Sequence, residues 1–310
     1  MIESFGFNQA WEEHHGFLLD VAYRLLGSYT DAEDIVQEAF TRLLRSDLDP
    51  IEDARAWLVV VVSRLCLDYL RSARVRREAY VGPWFPEPLV AFDGDDSDPA
   101  NVVTLDESVR MAMLIVLERM SPAERVVFVL HDVFEFPFEN IATMVGRTPA
   151  ACRQLATRAR RRVKEEAGSE RFHFDRAQQE RAVQAFIAAC ASGEVKNLLR
   201  LLDPAVAGWA DVGGLLAPVR QPNIGAGKVG ENVMRFFGAA TGRTMEMRSI
   251  NGEPGIVAYS GGELVAVIAL TLKAGAITRV YVVADPRKLE LAKRALGRWA
   301  GARDKSSLAG

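Results

Sequence analysis

The sequence predicts a multidomain chain: two all-α domains, the second with a helix-turn-helix, followed by an α+β domain. Three observations carry that expectation. Apolar residues recur at helical spacing through most of residues 8–166. An acidic stretch rich in Pro, Gly and Asp interrupts them. After about residue 175 the pattern changes to two amphipathic helices and then strand-like runs separated by Gly-containing turns. The expected boundaries are 8–78 for the first helical domain, 79–104 for the linker, 105–166 for the second helical domain, 175–285 for the α+β domain and 286–310 for a C-terminal helix and tail.

Whole-chain numbers set limits on function. With 310 residues, 49% apolar and 25% charged, the chain is long enough for two or three cores. Cys66, Cys152 and Cys190 lie far apart and form no CxxC pair, so neither a disulfide framework nor a metal site is suggested, and no cofactor is expected. The opening residues lack a basic segment followed by an apolar core, and no apolar run approaches the roughly 20 residues that span a bilayer. The expectation is a soluble cytoplasmic protein with no membrane partner.

In the first domain, "TDAEDIVQEAFTRLLR" places Ile35, Val36, Ala39, Phe40, Leu43 and Leu44 on one helical stripe. Thr30 and Glu33 read as a capping box. Asp34, Gln37 and Glu38 fall off the stripe, which by itself describes a solvated acidic face. The next helix, "DARAWLVVVVSRLCLDYLRSARVRR", turns Trp57, Val60, Val61, Leu65 and Leu67 to Leu70 inward and crowds Arg64, Arg71, Arg74, Arg76 and Arg77 into its distal half. Such an arginine-rich helix end serves as often to cap the helix as to meet DNA.

Between Phe85 and Glu107, across the linker and just past it, there are seven acids and no bases. Beyond it, Leu105–Arg119 and Pro122–Val133 read as helices, the second with Ser121 as N-cap, Pro122 at N1 and Glu124 closing a capping box. In "FPFENIATMVGRTPAACRQLATRARRRV", Ile141, Ala142 and Val145 form a short apolar face, Gly146 turns the chain and Thr148 caps a second helix with Pro149 at N1. Cys152, Leu155, Ala159 and Val163 would be its buried stripe. This is helix-turn-helix spacing. Thr148, Ala150, Ala151, Arg153 and Gln154 would present base-reading groups at the helix N-terminus, where the small alanines permit close approach. Between Gly146 and Lys164 there are seven Arg or Lys and no acid. Arg158, Arg160, Arg161, Arg162 and Lys164 suit phosphates, and Arg147 joins the DNA contacts, a footprint that a chain of formal net charge −3 concentrates in one place.

"SYTDAEDIVQEAFTRLLR", "ARAWLVVVVSRLCLDYLRS" and "SPAERVVFVLHDVFEFPFENIATMVGRTPAACRQLATRARRRV" resemble the two helical domains of bacterial sigma factors of the extracytoplasmic-function (ECF) type, over about residues 8–165. The resemblance implies that Asp34, Gln37 and Glu38 face the coiled-coil clamp of core RNA polymerase. It implies that Arg55, Trp57, Arg64, Arg71, Arg74 and Arg76, with the loop Leu48 to Arg55, engage the −10 promoter element, and that the helix-turn-helix reads the −35 element. The family usually has Val and Arg where this chain has Cys152 and Leu155.

The C-terminal pattern, helices first and then a curved antiparallel sheet, resembles the SnoaL-like branch of the NTF2-like cone fold, which encloses an apolar pocket that a small-molecule ligand could fill. ECF sigma factors with such an extension form a group whose joint motifs are similar to those here. "WFPEP" (Trp84, Phe85, Pro86, Glu87, Pro88) resembles its linker motif, "DVGG" (Asp211 to Gly214) a degraded DGGGK, and "DPRKL" (Asp285 to Leu289) its late NPDKL motif. Trp84 and Phe85 are costly to leave in water, so the linker is expected to be both stiff and docked. Regulatory contacts are expected from Trp84 to Pro88 to Asp211, Gly213, Gly214 and Lys228. All four histidines precede the C-terminal domain, and Asp211 fits a carboxylate accepting backbone N–H groups better than a general acid, so no enzyme is expected. The implied function is a sigma factor that acts as a monomer within the holoenzyme, modulated by its C-terminal domain. A ligand-sensing helix-turn-helix regulator that does not act through core polymerase, or a DNA-tethered NTF2-like enzyme, are the alternatives.

Overall fold

The computed structural model describes residues 2–46, 53–78, 82–91, 103, 109–167, 175–214 and 221–307, with side chains described for the same residues except 2–6, 73–78, 167 and 297–307. These residues form two compact units. One holds 2–46, 53–78, 103, 109 and 113–167; the other holds 82–91, 110–112, 175–214 and 221–307.

The first unit begins with α1 (Ile2–Leu26), α2 (Tyr29–Arg45) and α3 (Ala54–Glu78). Gly27, at φ 67, ends α1 by returning its N–H to the Tyr23 carbonyl (2.7 Å). Ser28, not Thr30, caps α2: its hydroxyl accepts from the Asp31 N–H. Ile35, Val36, Ala39, Phe40 and Leu43 are buried as the periodicity predicts, but Leu44 is exposed. On α3 the buried stripe is Leu58, Val59, Val62, Cys66, Leu67 and Leu70, while Trp57, Val60, Val61 and Leu65 are only half-buried. The run "LVVVV" is apolar on every face, so the facing helices and not the period choose which side is covered.

The second helical part comprises α4 (Met111–Glu118), α5 (Pro122–Phe128), α6 (Phe138–Val145) and α7 (Pro149–Ala167). Only 111–118 of the expected 105–119 helix is assigned, and 104–108 lie outside the described residues. The Ser121–Glu124 capping box forms in both directions. Instead of running straight to Val133, the helix loosens into a π turn at Val129–Val133. There the His131 ring lies 2.9 Å from the Phe136 carbonyl, and the Phe136 N–H returns to Leu130. Gly146, at φ 66, makes the tight turn, and the Thr148 hydroxyl accepts from the Ala151 N–H. Cys152, Ala156 and Ala159 are the buried stripe of α7; Leu155 and Val163 are half-buried. The two helical parts pack into one unit, α3 lying against α5 and α6.

In the other unit, α8 (Arg176–Ser192), α9 (Val195–Leu199) and α10 (Ala226–Phe237) cover a seven-stranded sheet, and α11 (Pro286–Ser307) follows it. The strands are β1 (Val90–Ala91), β2 (Leu202–Asp211), β3 (Asn223–Ile224), β4 (Thr244–Ile250), β5 (Glu253–Ser260), β6 (Glu263–Lys273) and β7 (Ala276–Val283), in the order β1-β4-β5-β6-β7-β2-β3. Val183, Phe186, Val206, Ile256, Ile268 and Val280 are among the core between helices and sheet. The sheet is not wholly antiparallel, because β2 pairs with β7 in parallel. No hairpin joins those two strands, so no turn dictates their relative direction. The described start of the linker is packed on this domain. Residues 85–90 are all buried, and Val90–Ala91 add β1 to the edge of β4. This helix-plus-sheet domain after two helical parts is the fold class the sequence predicts.

Candidate functional site

The helix-turn-helix sets its predicted readers at one helix end. Arg147, Thr148, Ala150, Arg153 and Gln154 are exposed around the start of α7, and Ala151 is half-buried among them. Arg153 is held by Glu139 (2.8 Å) across the turn and lies over the Phe138 ring. Burial raises the Cys152 thiol while the charges of Arg147 and Arg153 pull it down, a local sign of the positive potential at this end. Further along, Arg158 and Arg161 are exposed, but Arg160 turns to Asp132 (2.5 Å) and Arg162 donates to the Arg119 carbonyl (2.5 Å). The basic run therefore divides into outward arginines and arginines that tie the helix down.

On α2, Asp34, Gln37 and Glu38 are exposed, with Glu38 paired to Arg42 (2.8 Å). Leu44 lies on the same outward side, at helical spacing from Gln37 and Thr41. Near the start of α3, Arg55 lies over the Phe17 ring (4.2 Å) and Trp57 is half-buried. Arg71 pairs with Asp68, while Arg64 reaches out of α3 to the Thr143 carbonyl of α6 (3.0 Å). Leu48 to Glu52 of the predicted loop, and the side chains of Arg74 and Arg76, lie outside the described residues. Arg125 of α5 bridges the helical parts a second time, donating to the Leu25 carbonyl (3.0 Å) while paired to Glu118.

The three motifs singled out as joint features meet in one buried cluster. The Phe85 N–H donates to Asp211 Oδ2 (2.8 Å), and Lys288 Nζ donates both to that oxygen (2.6 Å) and to the Phe85 carbonyl (2.5 Å). Trp84 covers the ammonium, its ring centroid 3.5 Å from Nζ. A buried cation needs such a set of partners, because an unpaired one would be expelled or neutralised. Phe85 meets the edge of Tyr281 (5.6 Å), which stacks on Trp209 (5.2 Å), its direct partner across the β2–β7 pairing. Downstream, Asn251 and Leu89 exchange two hydrogen bonds, and Pro86, Glu87 and Pro88 are buried between these anchors. Arg110, at the far end of the linker, pairs with Glu253 (3.1 Å).

Behind the clasp, the Gly213 N–H donates to Asp211 Oδ1 (3.3 Å). Gly213 sits at φ 67, and a Cβ there would stand 2.7 Å from the Asp285 carboxyl carbon, so glycine is required twice over. Asp285 is itself buried and gripped by the Arg287 guanidinium and N–H. Gly214 is exposed with open space around it. Lys228, the expected basic contact, is instead exposed on the first turn of α10, and Lys288 occupies that role. Sequence reasoning missed Lys288, Asn251 and Tyr281. The signal for Lys288 lay within "DPRKL", where a lysine sits next to Leu289 on the inward side of α11.

The cysteines belong to the cores. All three are free and buried, and burial pushes the Cys190 thiol up to about 12, far from thiolate chemistry.

Comparison with known proteins agrees with this division. A family model described as Sigma-70 region 2 matches residues 10–76, and one described as Sigma-70, region 4 matches residues 110–163. The chain is 42% identical over 294 residues to a Mycobacterium tuberculosis protein named "Probable ECF RNA polymerase sigma factor SigI", covering 93% of this chain and 96% of that one. It is 39% identical over 281 residues to "ECF RNA polymerase sigma factor SigJ" of the same species, covering 87% and 89%. The crystal structure of M. tuberculosis SigJ is similar with a TM-score of 0.73 at 36% identity, over 91% of this chain and 97% of that one.

Proposed function

This chain belongs to the ECF RNA polymerase sigma factors, and we propose that its C-terminal domain controls their common activity by clasping the linker between the two helical parts. As a sigma factor it acts with RNA polymerase on promoter DNA to initiate transcription. The single observation that carries the regulatory reading is the buried Asp211–Lys288–Phe85 clasp.

A length argument says why the clasp would matter. Promoter elements at −10 and −35 lie about 25 base pairs apart, roughly 85 Å at 3.4 Å per pair. A compact unit of some 150 residues has a radius of gyration of only about 15 Å. The packed helical parts therefore have to separate before each reaches its element. The connection 79–110 can stretch to about 100 Å at roughly 3.3 Å per residue. With 82–91 and Arg110 held on one domain, less of the connection is free to extend between the helical parts. Release of the clasp restores the reach.

In this reading Asp34, Gln37 and Glu38 form the polymerase-binding face. Arg153 and Gln154 meet base edges of the −35 element, with Thr148, Ala150 and Ala151 allowing close approach, and Arg147, Arg158 and Arg161 hold phosphates. Arg55, Trp57, Arg64, Arg71, Arg74 and Arg76 serve the −10 element, Arg64 after it leaves the Thr143 carbonyl.

The test is transcription in vitro from genomic fragments with purified core polymerase and full-length protein, Trp84→Ala, or protein truncated from Asp175. We expect specific initiation by the full-length chain and stronger initiation by both altered forms, with −35 binding by the helix-turn-helix unchanged. Equal output from all three would remove the regulatory role. Asp34→Arg with Glu38→Arg should lower co-elution with core polymerase at least a hundredfold without loss of helix content; wild-type co-elution would overturn the assignment of that face.

A further inference from the structure

The C-terminal domain holds a cavity of about 590 Å³ between α10 and the sheet, within the 300–1,000 Å³ range of small-molecule sites. Its walls are apolar: Trp209, Val229, Val233, Phe237, Val265 and Val280 are among the lining. The polar side chains among the described lining residues are Asn223, Asn232, Arg235 and Arg243. All four can donate hydrogen bonds, two carry positive charge, and the described lining residues include no carboxylate or imidazole.

Arg243 is half-buried. It donates to the Phe236 carbonyl (2.7 Å) and rests over the Phe237 ring, which fixes the guanidinium beside the cavity. A guanidinium has five donors in a planar fork, so the bond to Phe236 uses only part of its capacity. Arg235, in the last turn of α10, is exposed at the same cavity. An apolar slot flanked by cationic forks discriminates by charge: an anionic end gains charge-assisted bonds, a cationic end meets like charge, and a neutral alcohol gains little.

We propose that this cavity is the binding site for a ligand with an apolar body and one anionic end, a medium-chain or aromatic carboxylate, seated with its charge on Arg243 and Arg235. The site adjoins the clasp. Val212 and Ala284 line the cavity, and each neighbours a clasp or support residue, Asp211 or Asp285; Trp209 lines it too and reaches Phe85 through Tyr281. Ligand binding itself goes beyond the regulatory reading and does not depend on it.

Titration calorimetry on the full-length protein tests it, with two probe pairs that differ only in charge: decanoate against 1-decanol, and 2-naphthoate against 2-naphthol. The expected result is one site per chain, with at least one acid bound ten times more tightly than its neutral partner. Arg243→Gln should erase that preference. Arg235→Gln, at an exposed position, should reduce it and keeps the test standing if loss of the Phe236 bond unfolds the other variant. Equal affinity for acid and neutral partner, a preference that survives both substitutions, or no binding of either acid would overturn the proposal.

Discussion

Helix α7 carries its arginines in water, whereas the clasp takes Asp211 and Lys288 out of it. The side chains of Arg153 and Arg161 are 56% and 74% exposed; those of Lys288 and Asp211 are 8% and 0% exposed. The ion pairs on α7 are correspondingly weak, in the range of about 0.2–1 kcal/mol, and can be exchanged for phosphate contacts at little cost. The buried pair cannot be exchanged so easily. Its worth lies less in net stability than in the cost of breaking it by halves. Ion pairs of one general kind thus serve an interchangeable surface in one unit and a fixed fastening in the other.

The largest expected effect comes from breaking the clasp on one side only. Lys288→Met leaves the Asp211 carboxylate buried without its cation, and should destabilise the C-terminal domain by about 3–5 kcal/mol. Adding Asp211→Asn should recover part of that loss, because the carboxylate left without its cation is then gone as well. Urea denaturation of the three proteins measures both steps. A cost below about 1 kcal/mol for the single change, or no recovery in the double, would put Lys288 on the same footing as the surface arginines.

How much of this contrast was legible in the sequence depended on the reach of each interaction. The helix-turn-helix could be read because its signals are local: Gly146 at the turn, Thr148 and Pro149 at the helix start, Ser121 answered by Glu124. Even local signals slipped where two candidates stood close, as with Ser28 capping in place of Thr30, or Leu44 continuing a stripe that had already turned toward solvent. The clasp motifs were visible as motifs, but their partners were not. Asp211 and Lys288 are 77 residues apart, and Phe85 is 126 from Asp211. Nothing in spacing favours Lys288 over Lys228; only the pairing of β2 with β7 brings the end of one strand beside the helix that follows the other. The cavity was foreseeable in outline from the cone fold, while Arg235 and Arg243 as its charged edge needed the folded positions of α10 and β4.

A middle-sized effect sharpens the surface side of the comparison. Arg153→Ala should cost about 1–3 kcal/mol at one −35 position and relax specificity there. Arg161→Ala should weaken binding to every sequence and reduce the salt dependence by about one phosphate contact. Neither should shift the unfolding midpoint appreciably, since the pairs they lose, to Glu139 and Glu165, are exposed. Fluorescence anisotropy with a set of −35 variants at two salt concentrations separates the roles, and a changed base preference in Arg161→Ala would merge them.

The smallest effect concerns Asp285, buried charge that is tied to an exposed partner. Burial alone would push its carboxyl up, but the hydrogen bonds from the Arg287 side chain and N–H, the Arg287 charge and the Lys288 charge outweigh burial and hold it below the ordinary 3.8. A carboxyl lowered by folding stabilises the fold at any pH above its unfolded value and loses that contribution as pH falls through the folded one. At neutral pH the contribution is complete, and acid removes it only below the usual carboxylate range. Asp285→Asn should therefore lower the urea midpoint of the C-terminal domain at pH 7 and make its decline between pH 4 and pH 2.5 shallower than in the unaltered protein. Because Arg287 is 69% exposed, water takes up much of what the pair loses, which keeps the change well below that of Lys288→Met. An unaltered slope in the acid range would show that Asp285 holds Gly213 and the start of α11 by shape alone, and that Lys288 is the one charge in this cluster on which the fastening of the linker depends.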